Sequence, residues 1–484
     1  MIELPEPGAQ APGTTTTLLA DPDGGIIRRS VVEPGLRVLT EQSPSGRAVT
    51  LGVAVPVGSR DEEPRYAGAS HFLEHLLFKG TARRTALQIS AAIDAVGGEL
   101  NAFTGKEYTC FYARVLDRDL ELAIDVLLDL VTSAVLATAD VESEREVVIE
   151  EIAMNDDDPS GVAHELFAGG VFAGTPLAAP IIGTVASIGG MPADDVRRHY
   201  HRWYRPDNLS VVAAGRLDHD VVVAAVERAV AAAGRAELSA SGAPVGRRAG
   251  AASAGEGSAG AGRGVAAADA GTPVWLRRAR DTEQVNVVLG TTTMGRLDPR
   301  RYALGVFNAA VGGGMSSRLF QEVRENRGLA YAVQSYTSLF SDIGAFGVFA
   351  GTSPAKLDDT LGVIDSVLAQ VVADGLADEE IERGRGQLRG GLVLSQEESS
   401  SRMVSLAEAE VITGRLRPVA ESLAAIDAVT TDQVSEIAEE LWSGQRHIAV
   451  VGPAEPGAAG AGPGGAAGPA MAAAAEPNGD EEVE

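Results

Sequence analysis

The pentapeptide His71-Phe72-Leu73-Glu74-His75 decides most of what is expected of this chain of 484 residues. Residues four apart on a helix project from one face, so His71 and His75 can hold one Zn²⁺ between their imidazoles. Glu74 lies on the same stripe, where its carboxylate can take a proton from an attacking water. The alternative is two ordinary helical histidines beside a solvated glutamate. With only seven histidines in the chain, the metal-site interpretation is favoured.

The flanking residues predict a short helix around the pentapeptide. Ser70 is the expected N-cap and Gly80 the expected C-terminal stop. Leu73, Leu76 and Leu77 follow the i, i+3, i+4 spacing of an apolar helix face. The two histidines and Glu74 are therefore expected on the opposite face.

Composition excludes several classes of function. The net charge of −27 argues against nucleic-acid binding, which needs basic surfaces. Cys110 is the only cysteine, so neither an intrachain disulfide nor a thiolate metal cluster is expected. No apolar run approaches the roughly 18 residues of a membrane span, and the N-terminus lacks the basic and apolar pattern of a signal. We therefore expect a cytoplasmic protein without a membrane partner.

Composition also predicts how the chain is organised. A chain of this length is expected to form two or more domains. The predicted segments are a disordered N-terminal tail (1–25), a first folded domain (26–234), a flexible Gly/Ala-rich linker (235–273), a second folded domain (274–453) and a disordered acidic tail (454–484).

The two folded blocks resemble copies of one unit. Short matches recur at offsets of 237, 240 and 236 positions: Val211–Gly215 with Ile448–Gly452, Ile124–Leu128 with Ile364–Leu368, and Tyr66-Ala67 with Tyr302-Ala303. Similar offsets favour duplication over coincidence.

The same alignment indicates that only the first copy carries the metal motif. His71, Glu74 and His75 correspond to Phe307, Ala310 and Val311, while Glu144 and Glu151 correspond to Gly384 and Gly391. The second copy is therefore expected to contribute shape or substrate contacts.

The pattern of apolar residues predicts the fold class. Runs typical of strands mix with long helical patterns without strict alternation: Val49–Val57, Tyr108–Val115 and Leu209–Gly215 as strands, Leu120–Leu136 and Val141–Asn155 as helices. We predict an α+β protein with two homologous domains, each a mostly antiparallel sheet with helices packed on one face.

A catalytic zinc usually has three protein ligands, so one more must come from elsewhere. The acidic helix Val141–Asn155 is the best source. Glu144 and Glu151 lie seven residues apart, about 10 Å along one stripe, so only one of them can reach the metal. Spacing alone does not choose between the two, and most other acids of this helix are expected to be solvated.

His71–His75 followed by Glu144–Met154 resembles the pitrilysin, or insulinase, superfamily of zinc peptidases, the inverzincins. Within it, the chain is most similar to the branch around the mitochondrial processing peptidase and its bacterial relatives. The resemblance implies one Zn²⁺ per chain, with Glu151, about 76 positions after His75, as third ligand. It also implies that Glu144 orients a ligand histidine and that Glu74 is the general base.

Two further segments resemble substrate-binding parts of this family. Gly97–Thr104 is similar to an edge strand that pairs with the substrate backbone, with Asn101, Ala102 and Phe103 as expected contacts. Arg324 and Tyr331 match an Arg/Tyr pair that points at the substrate near the zinc. The resemblance implies that Tyr331 donates to the developing oxyanion and Arg324 holds a substrate carbonyl.

The resemblance implies a zinc metalloendopeptidase that hydrolyses peptides or unfolded segments and assembles as a homodimer of two-domain chains. The metal motif lies in one copy and the Arg/Tyr pair in the other. Either the two halves of one chain, or two chains, must therefore face each other. The alternative is a non-catalytic or partner-dependent subunit, like the respiratory-complex core proteins of the same fold. The retained ligands and the presence of both motifs argue against it.

Overall fold

The computed structural model describes residues 1–20, 25–43, 46–232 and 272–453. Strands within these residues are β1 (Ile2–Glu3), β2 (Thr14–Ala20), β3 (Ile26–Val32), β4 (Leu36–Gln42), β5 (Ala48–Val55), β6 (Glu99–Thr104), β7 (Thr109–Leu116), β8 (Ser210–Gly215), β9 (Val274–Ala279), β10 (Val285–Met294), β11 (Ala330–Leu339), β12 (Ile343–Thr352), β13 (Arg415–Leu416) and β14 (His447–Gly452). The α-helices are α1 (Ala69–Leu77), α2 (Ala86–Asp94), α3 (Leu120–Ser133), α4 (Thr138–Asp156), α5 (Pro159–Val171), α6 (Val185–Gly189), α7 (Ala193–Trp203), α8 (His219–Ala232), α9 (Arg301–Gly312), α10 (Leu357–Asp374), α11 (Asp378–Ser395), α12 (Ser399–Glu408), α13 (Val419–Asp427) and α14 (Thr431–Ser443).

The first half of the chain builds a sheet whose described strands follow the order β2-β3-β4-β8-β5-β7-β6. Strands β4 and β8 run parallel, with Val38 opposite Val211. The other neighbours are antiparallel. Among the described strands, β6 pairs with β7 alone, so its outer backbone groups are open to another strand.

The second half repeats this arrangement in a sheet ordered β11-β12-β10-β14-β9. The parallel pair is now β9 with β14, with Arg277 opposite Val450. Strand by strand, β9, β14, β10, β12 and β11 occupy the places of β4, β8, β5, β7 and β6. The prediction of two similar α+β domains with mostly antiparallel sheets is therefore confirmed.

One face of each sheet is covered by helices of its own half. In the first half, buried side chains of α1, α3 and α8, such as Phe72, Leu127 and Val226, pack with strand residues in one core. In the second half, α9, α10 and α14 form the equivalent core. This agrees with the predicted packing of helices on one face.

The other face of each sheet is covered by a helix from the opposite half. Helix α12 lies on the first sheet, where a Cβ at Gly52 would be 2.6 Å from the sulfur of Met403. Helix α5 lies on the second sheet, where a Cβ at Gly170 would be 2.2 Å from Leu276 Cδ1. Glycine at both positions allows this close approach. The two halves are therefore joined by reciprocal exchange of a helix.

The predicted disorder of residues 1–25 is wrong for the residues that the structure describes. Strand β2 pairs with β3, with Thr15 opposite Ser30 and their hydroxyl oxygens 2.6 Å apart. The run Thr14–Thr17 is β-branched, which favours extended chain wherever a neighbouring strand is available. That neighbour is β3, the next strand in the chain.

Two predicted segments lie largely outside the described residues. The structure does not describe 233–271 or 454–484, so the flexible linker and the acidic tail stay predictions. Within the described ranges, no single helix combines the length and apolar character of a membrane span. Pro354–Asp374 and Asp378–Ser395 meet that test only as a pair, bent by 108°.

A buried ion pair holds the two halves together. Arg29 on β3 donates to both carboxylate oxygens of Glu410, at 3.1 and 3.0 Å. Glu410 belongs to a π-helical turn that follows α12, and Arg37 on β4 lies 3.1 Å from the same carboxylate. All three side chains are at most 4% exposed. A charged side chain that is buried to this extent is stable only while its oppositely charged partners are present.

We expect Glu410→Gln to lower the free energy of unfolding by about 3–5 kcal/mol, because two buried guanidiniums then face a neutral amide. Urea unfolding measures this change. The matched control is Asp427→Asn, which removes an exposed carboxylate from Arg389 and should cost at most about 1 kcal/mol. Equal effects of the two substitutions would contradict a stabilising role for the buried pair.

Candidate active site

Helix α1 carries the two histidines, and its first turn is held by a carboxylate from an earlier loop. The N-cap is Gly68, at φ +93°, so the predicted N-cap Ser70 is wrong. Glu62 instead accepts hydrogen bonds from the backbone N–H groups of Gly68 (2.7 Å) and Ser70 (2.6 Å). Burial raises the pKa of Glu62 to about 7, although these hydrogen bonds pull it down. No local pattern in the sequence marks this residue.

Packing of α1 against α4 brings the candidate metal-binding side chains together. Phe72, Leu73 and Leu76 of α1 are buried in the first core, as are Val148 and Ile152 of α4. The polar stripe of α1 consequently faces the polar stripe of α4. His71, His75 and Glu151 each offer one ligand atom, and these atoms lie within 4.8 Å of one another.

The distances between the three side chains suit ligands around a shared zinc ion better than direct hydrogen bonds to one another. Glu151 oxygens lie 3.9 Å from His71 Nε2 and 3.5 Å from His75 Nε2. Two ligands about 2.0–2.1 Å from one tetrahedral Zn²⁺ would be about 3.3 Å apart. Glu151 Oε2 is also buried without a hydrogen-bond partner. A His/His/Glu donor set is one that catalytic zinc uses.

The electrostatics keep His71 neutral. Burial, and then the charge of His75, lowers the pKa of His71 to about 4. A neutral imidazole has the lone pair that a metal ligand needs. The ring is thus ready for a cation at neutral pH.

The structure also distinguishes the roles of Glu144 and Glu151, which their spacing in the sequence did not decide. Glu144 is buried and its Oε1 lies 2.9 Å from His75 Nδ1, the ring nitrogen that faces away from Glu151. The Lys79 ammonium contacts the other oxygen of Glu144. Glu144 therefore fixes the ring orientation of His75. On the same helix Glu150 is exposed, as the charge pattern predicted.

Glu74 lies beside this cluster with one oxygen anchored. The Thr104 hydroxyl donates to Glu74 Oε2 at 2.5 Å. Burial raises the pKa of Glu74, against the lowering effects of this hydrogen bond and of His75; the nearby Glu151 raises it further. A carboxylate with a raised pKa is a stronger base than a solvated one. Its other oxygen remains available for a proton.

A cavity of about 890 Å³ opens in front of these residues and spans both halves of the chain. His71, Glu74 and Glu151 line one end, apolar side chains of α5 line much of the rest, and Tyr336 and Ser338 of β11 contribute from the second half. His164 Nδ1 lies 2.9 Å from the Tyr336 hydroxyl and so bridges the two halves inside the cavity. Neither His164 nor Tyr336 belongs to a motif, and sequence reasoning missed both.

The predicted substrate strand is β6, at the edge of the first sheet. Asn101 is exposed, and its Oδ1 accepts from the Ala102 N–H at 2.8 Å. Phe103 lines the cavity and packs edge-on against Tyr108, with ring centroids 5.3 Å apart. Thr104, in the same strand, contacts Glu74. An extended chain paired with β6 would therefore pass beside the metal-binding cluster.

Arg324 and Tyr331 are not at this cavity. Tyr331 is 78% exposed, and the Arg324 guanidinium lies 5.0 Å from its ring centroid. Tyr331 is five residues from the cavity-lining Tyr336 on β11, about 16 Å along the strand. The pair lines a separate depression. The two halves of the chain do face each other across a cavity, but Arg324 and Tyr331 lie outside its lining, so their predicted role at the substrate stays a prediction.

Comparison with known proteins identifies the family. A profile described as Insulinase (Peptidase family M16) matches residues 37–185, and one described as Peptidase M16 inactive domain matches residues 190–388. An uncharacterized zinc protease of Streptomyces coelicolor is 46% identical over 446 residues, which cover 92% of this chain and 94% of the relative.

Solved structures share the fold at low identity. A protease from Helicobacter pylori is 19% identical with a TM-score of 0.78, covering 88% of this chain and 99% of that one. A chain of complex III from Candida albicans has a TM-score of 0.69 over 88% of this chain and 95% of its own. On the sequence matches, this chain belongs to peptidase family M16, the insulinase family.

Proposed function

We propose that this protein is a zinc-dependent metalloendopeptidase that hydrolyses peptides or unfolded segments. The observation that carries the proposal is the convergence of His71, His75 and Glu151 beside Glu74, at one end of a cavity bordered by an open strand edge. A site that only bound a metal ion would not need Glu74, the additional carboxylate that Thr104 holds in place. A base next to a metal-binding cluster is typical of hydrolysis.

His71, His75 and Glu151 would hold one Zn²⁺ per chain, with Glu144 orienting His75. The bound ion supplies Lewis-acid chemistry: it polarises the scissile carbonyl and lowers the pKa of water. Three protein ligands leave a coordination position open.

Glu74 performs the proton transfer. Thr104 fixes Oε2, so that Oε1 can accept the proton of the attacking water and later deliver it to the leaving amine. The raised pKa of Glu74 makes both transfers easier near neutral pH. The apolar walls of the cavity limit competing solvent around the base.

The substrate backbone pairs with β6. Main-chain hydrogen bonds give affinity with little demand on sequence, and Phe103 on this strand faces the cavity. Only an extended segment can add to a strand edge. This favours peptides and unfolded segments over folded proteins.

We infer that Arg324 and Tyr331 act on the site of a second copy of the chain. Both are accessible at the protein surface, away from the metal-binding cluster of their own chain. A homodimer in which each chain presents this pair to its partner's cavity would bring the Tyr331 hydroxyl to the oxyanion. The arrangement needs no partner protein of another kind.

The rival function is a non-catalytic subunit, since a complex III chain shares the fold. A subunit with a purely structural role would gain nothing from a buried carboxylate oxygen that lacks a hydrogen-bond partner, because such an atom lowers stability. The buried oxygen Oε2 of Glu151, which has no hydrogen-bond partner and lies 3.5 Å from His75 Nε2, is placed where a cation would bind it. We therefore retain the peptidase proposal.

Purified protein is expected to contain about one zinc per chain. Glu151→Gln should lose most of this metal, whereas Glu150→Gln, one residue away and exposed, should keep it. Metal content by atomic emission and cleavage of a quenched fluorescent peptide are measured together. Cleavage that survives chelation and metal loss would contradict the proposal.

Glu74→Gln is expected to lower kcat by about 10²–10⁴-fold while the zinc content stays unchanged, because the amide cannot accept the proton. Peptide cleavage under saturating substrate measures the change. The matched control is Glu146→Gln on the exposed face of α4, which should cleave normally. Normal turnover by the Glu74 variant would remove it as the base.

Mixing two inactive variants tests the role of the second chain. If Tyr331 serves its partner's site, a mixed dimer of Glu74→Gln and Tyr331→Phe chains contains one fully wild-type site. Random exchange should then restore about a quarter of wild-type activity, because half the dimers are mixed and one of their two sites is intact. No recovery, in a sample shown to contain mixed dimers, would place Tyr331 in the site of its own chain or outside catalysis.

A further inference from the structure

A second cavity, of about 840 Å³, lies between the two halves and is rich in arginine. It is bordered by residues of β3, β4, β11 and α12 and by the segment around β13. Five arginines line it, Arg296, Arg301, Arg402, Arg415 and Arg417, together with three glutamates, Glu41, Glu397 and Glu408. In a chain with a net charge of −27, such a concentration of positive charge needs an explanation.

Two of these arginines are neutralised by nearby acids. Arg296 pairs with Glu408 at 2.5 Å, and Arg402 pairs with Glu41 at 2.6 Å. Within the described part of the chain, the carboxylate nearest to Arg415 is that of Glu3, which is exposed and lies at 4.0 Å. Glu397, the third lining carboxylate, is exposed and forms no ion pair within 4 Å with any of these five arginines.

Arg301 and Arg417 have no carboxylate within 4 Å among the described residues. Both instead donate to the phenol oxygen of Tyr302, at 3.0 and 2.6 Å. Their guanidinium carbons lie 4.9 and 5.3 Å from the centroid of that ring. Two like charges are therefore held around one neutral side chain.

Tyr302 and Ser422 complete this arrangement. The Tyr302 hydroxyl donates to the Ser422 oxygen at 3.4 Å. Burial raises the pKa of Tyr302, but the hydrogen bonds with Ser422 and Arg301 and the charges of Arg301 and Arg417 bring the pKa below its ordinary value. The local field thus favours negative charge at this position.

We propose that Arg301 and Arg417, with the Ser422 hydroxyl, form a binding site for the phosphate group of a soluble small molecule. Two unpaired guanidiniums match a group that carries close to two negative charges and three acceptor oxygens. A carboxylate supplies only one charge. The half-buried position of both arginines, inside a cavity of this size, favours a small molecule over an exposed macromolecular surface.

This site is distinct from the metal-binding cavity and does not rest on the proposed function. The two cavities share β11 as a wall, since Tyr336 and Ser338 line the first while Thr337 and Leu339 line the second. Alternate residues of a strand face opposite sides. Binding at the arginines can therefore be measured without reference to cleavage.

The test is calorimetric titration of the full chain with inorganic phosphate and with pyrophosphate, at constant ionic strength set by sodium chloride. Phosphate is expected to bind in the millimolar range or tighter, and acetate at least tenfold more weakly. Arg301→Gln and Arg417→Gln should each weaken phosphate binding about tenfold or more, since each removes charged hydrogen bonds. The Glu151→Gln protein should bind phosphate like wild type, which excludes the metal-binding cluster as the site.

The matched control is Arg389→Gln, which removes an exposed guanidinium of the same half that does not line the cavity. It should leave phosphate binding unchanged. Urea unfolding without phosphate shows that each variant is folded. Absence of phosphate binding to the wild-type chain, equal loss in all three arginine variants, or acetate binding as tight as phosphate would each overturn the proposal.

Discussion

The exchange of helices between the two halves is the constraint on which the site depends. Helix α4 ends at Asp156 and α5 begins at Pro159, so the helix that carries Glu151 continues almost directly into the helix that covers the second sheet. Anchoring α5 in the other half fixes the direction in which α4 leaves the first core. The metal-binding residues consequently lie where the halves meet, and the cavity in front of them has walls from both.

The two halves differ at the positions of the candidate metal-binding residues. In the second half, Phe307, Ala310 and Val311 occupy the equivalent places and are buried in an apolar core. In the first half, buried atoms of His71 and Glu151 have no hydrogen-bond partner, each an expected penalty of about 1–3 kcal/mol. Natural structures accept such local conflicts mainly where function demands them. The first copy thus keeps polar side chains at positions where the second copy has apolar ones.

Local patterns predicted the parts of this structure whose causes are local. The strands, the helices and the i, i+4 histidines follow from periodicity, and β6 from its glycine-led run. The rest depends on contacts that no recognised local pattern marks. Glu62 caps α1 from six residues before Gly68 without a capping motif, and β2 pairs with the next strand, β3, although residues 1–25 lack strand periodicity. The position of Tyr331 could not be predicted either, because the same motif fits contact within a chain or between chains.

The spacing of Glu144 and Glu151 in the sequence did not decide which of them is the candidate metal ligand, and the packing of the helices supplies the missing information. Seven residues on a helix return to the same stripe, so both acids face α1 and neither is excluded by direction. The two acids differ in their position along α4 relative to His75. Glu144 lies beside Nδ1 of the ring, and Glu151 lies nearer to Nε2. The two nitrogens of one ring therefore distinguish two chemically identical side chains: Glu144 supports the ring and Glu151 is the candidate metal ligand. This assignment follows from how α1 packs on α4, and a shift of one turn between these helices would exchange or abolish the roles.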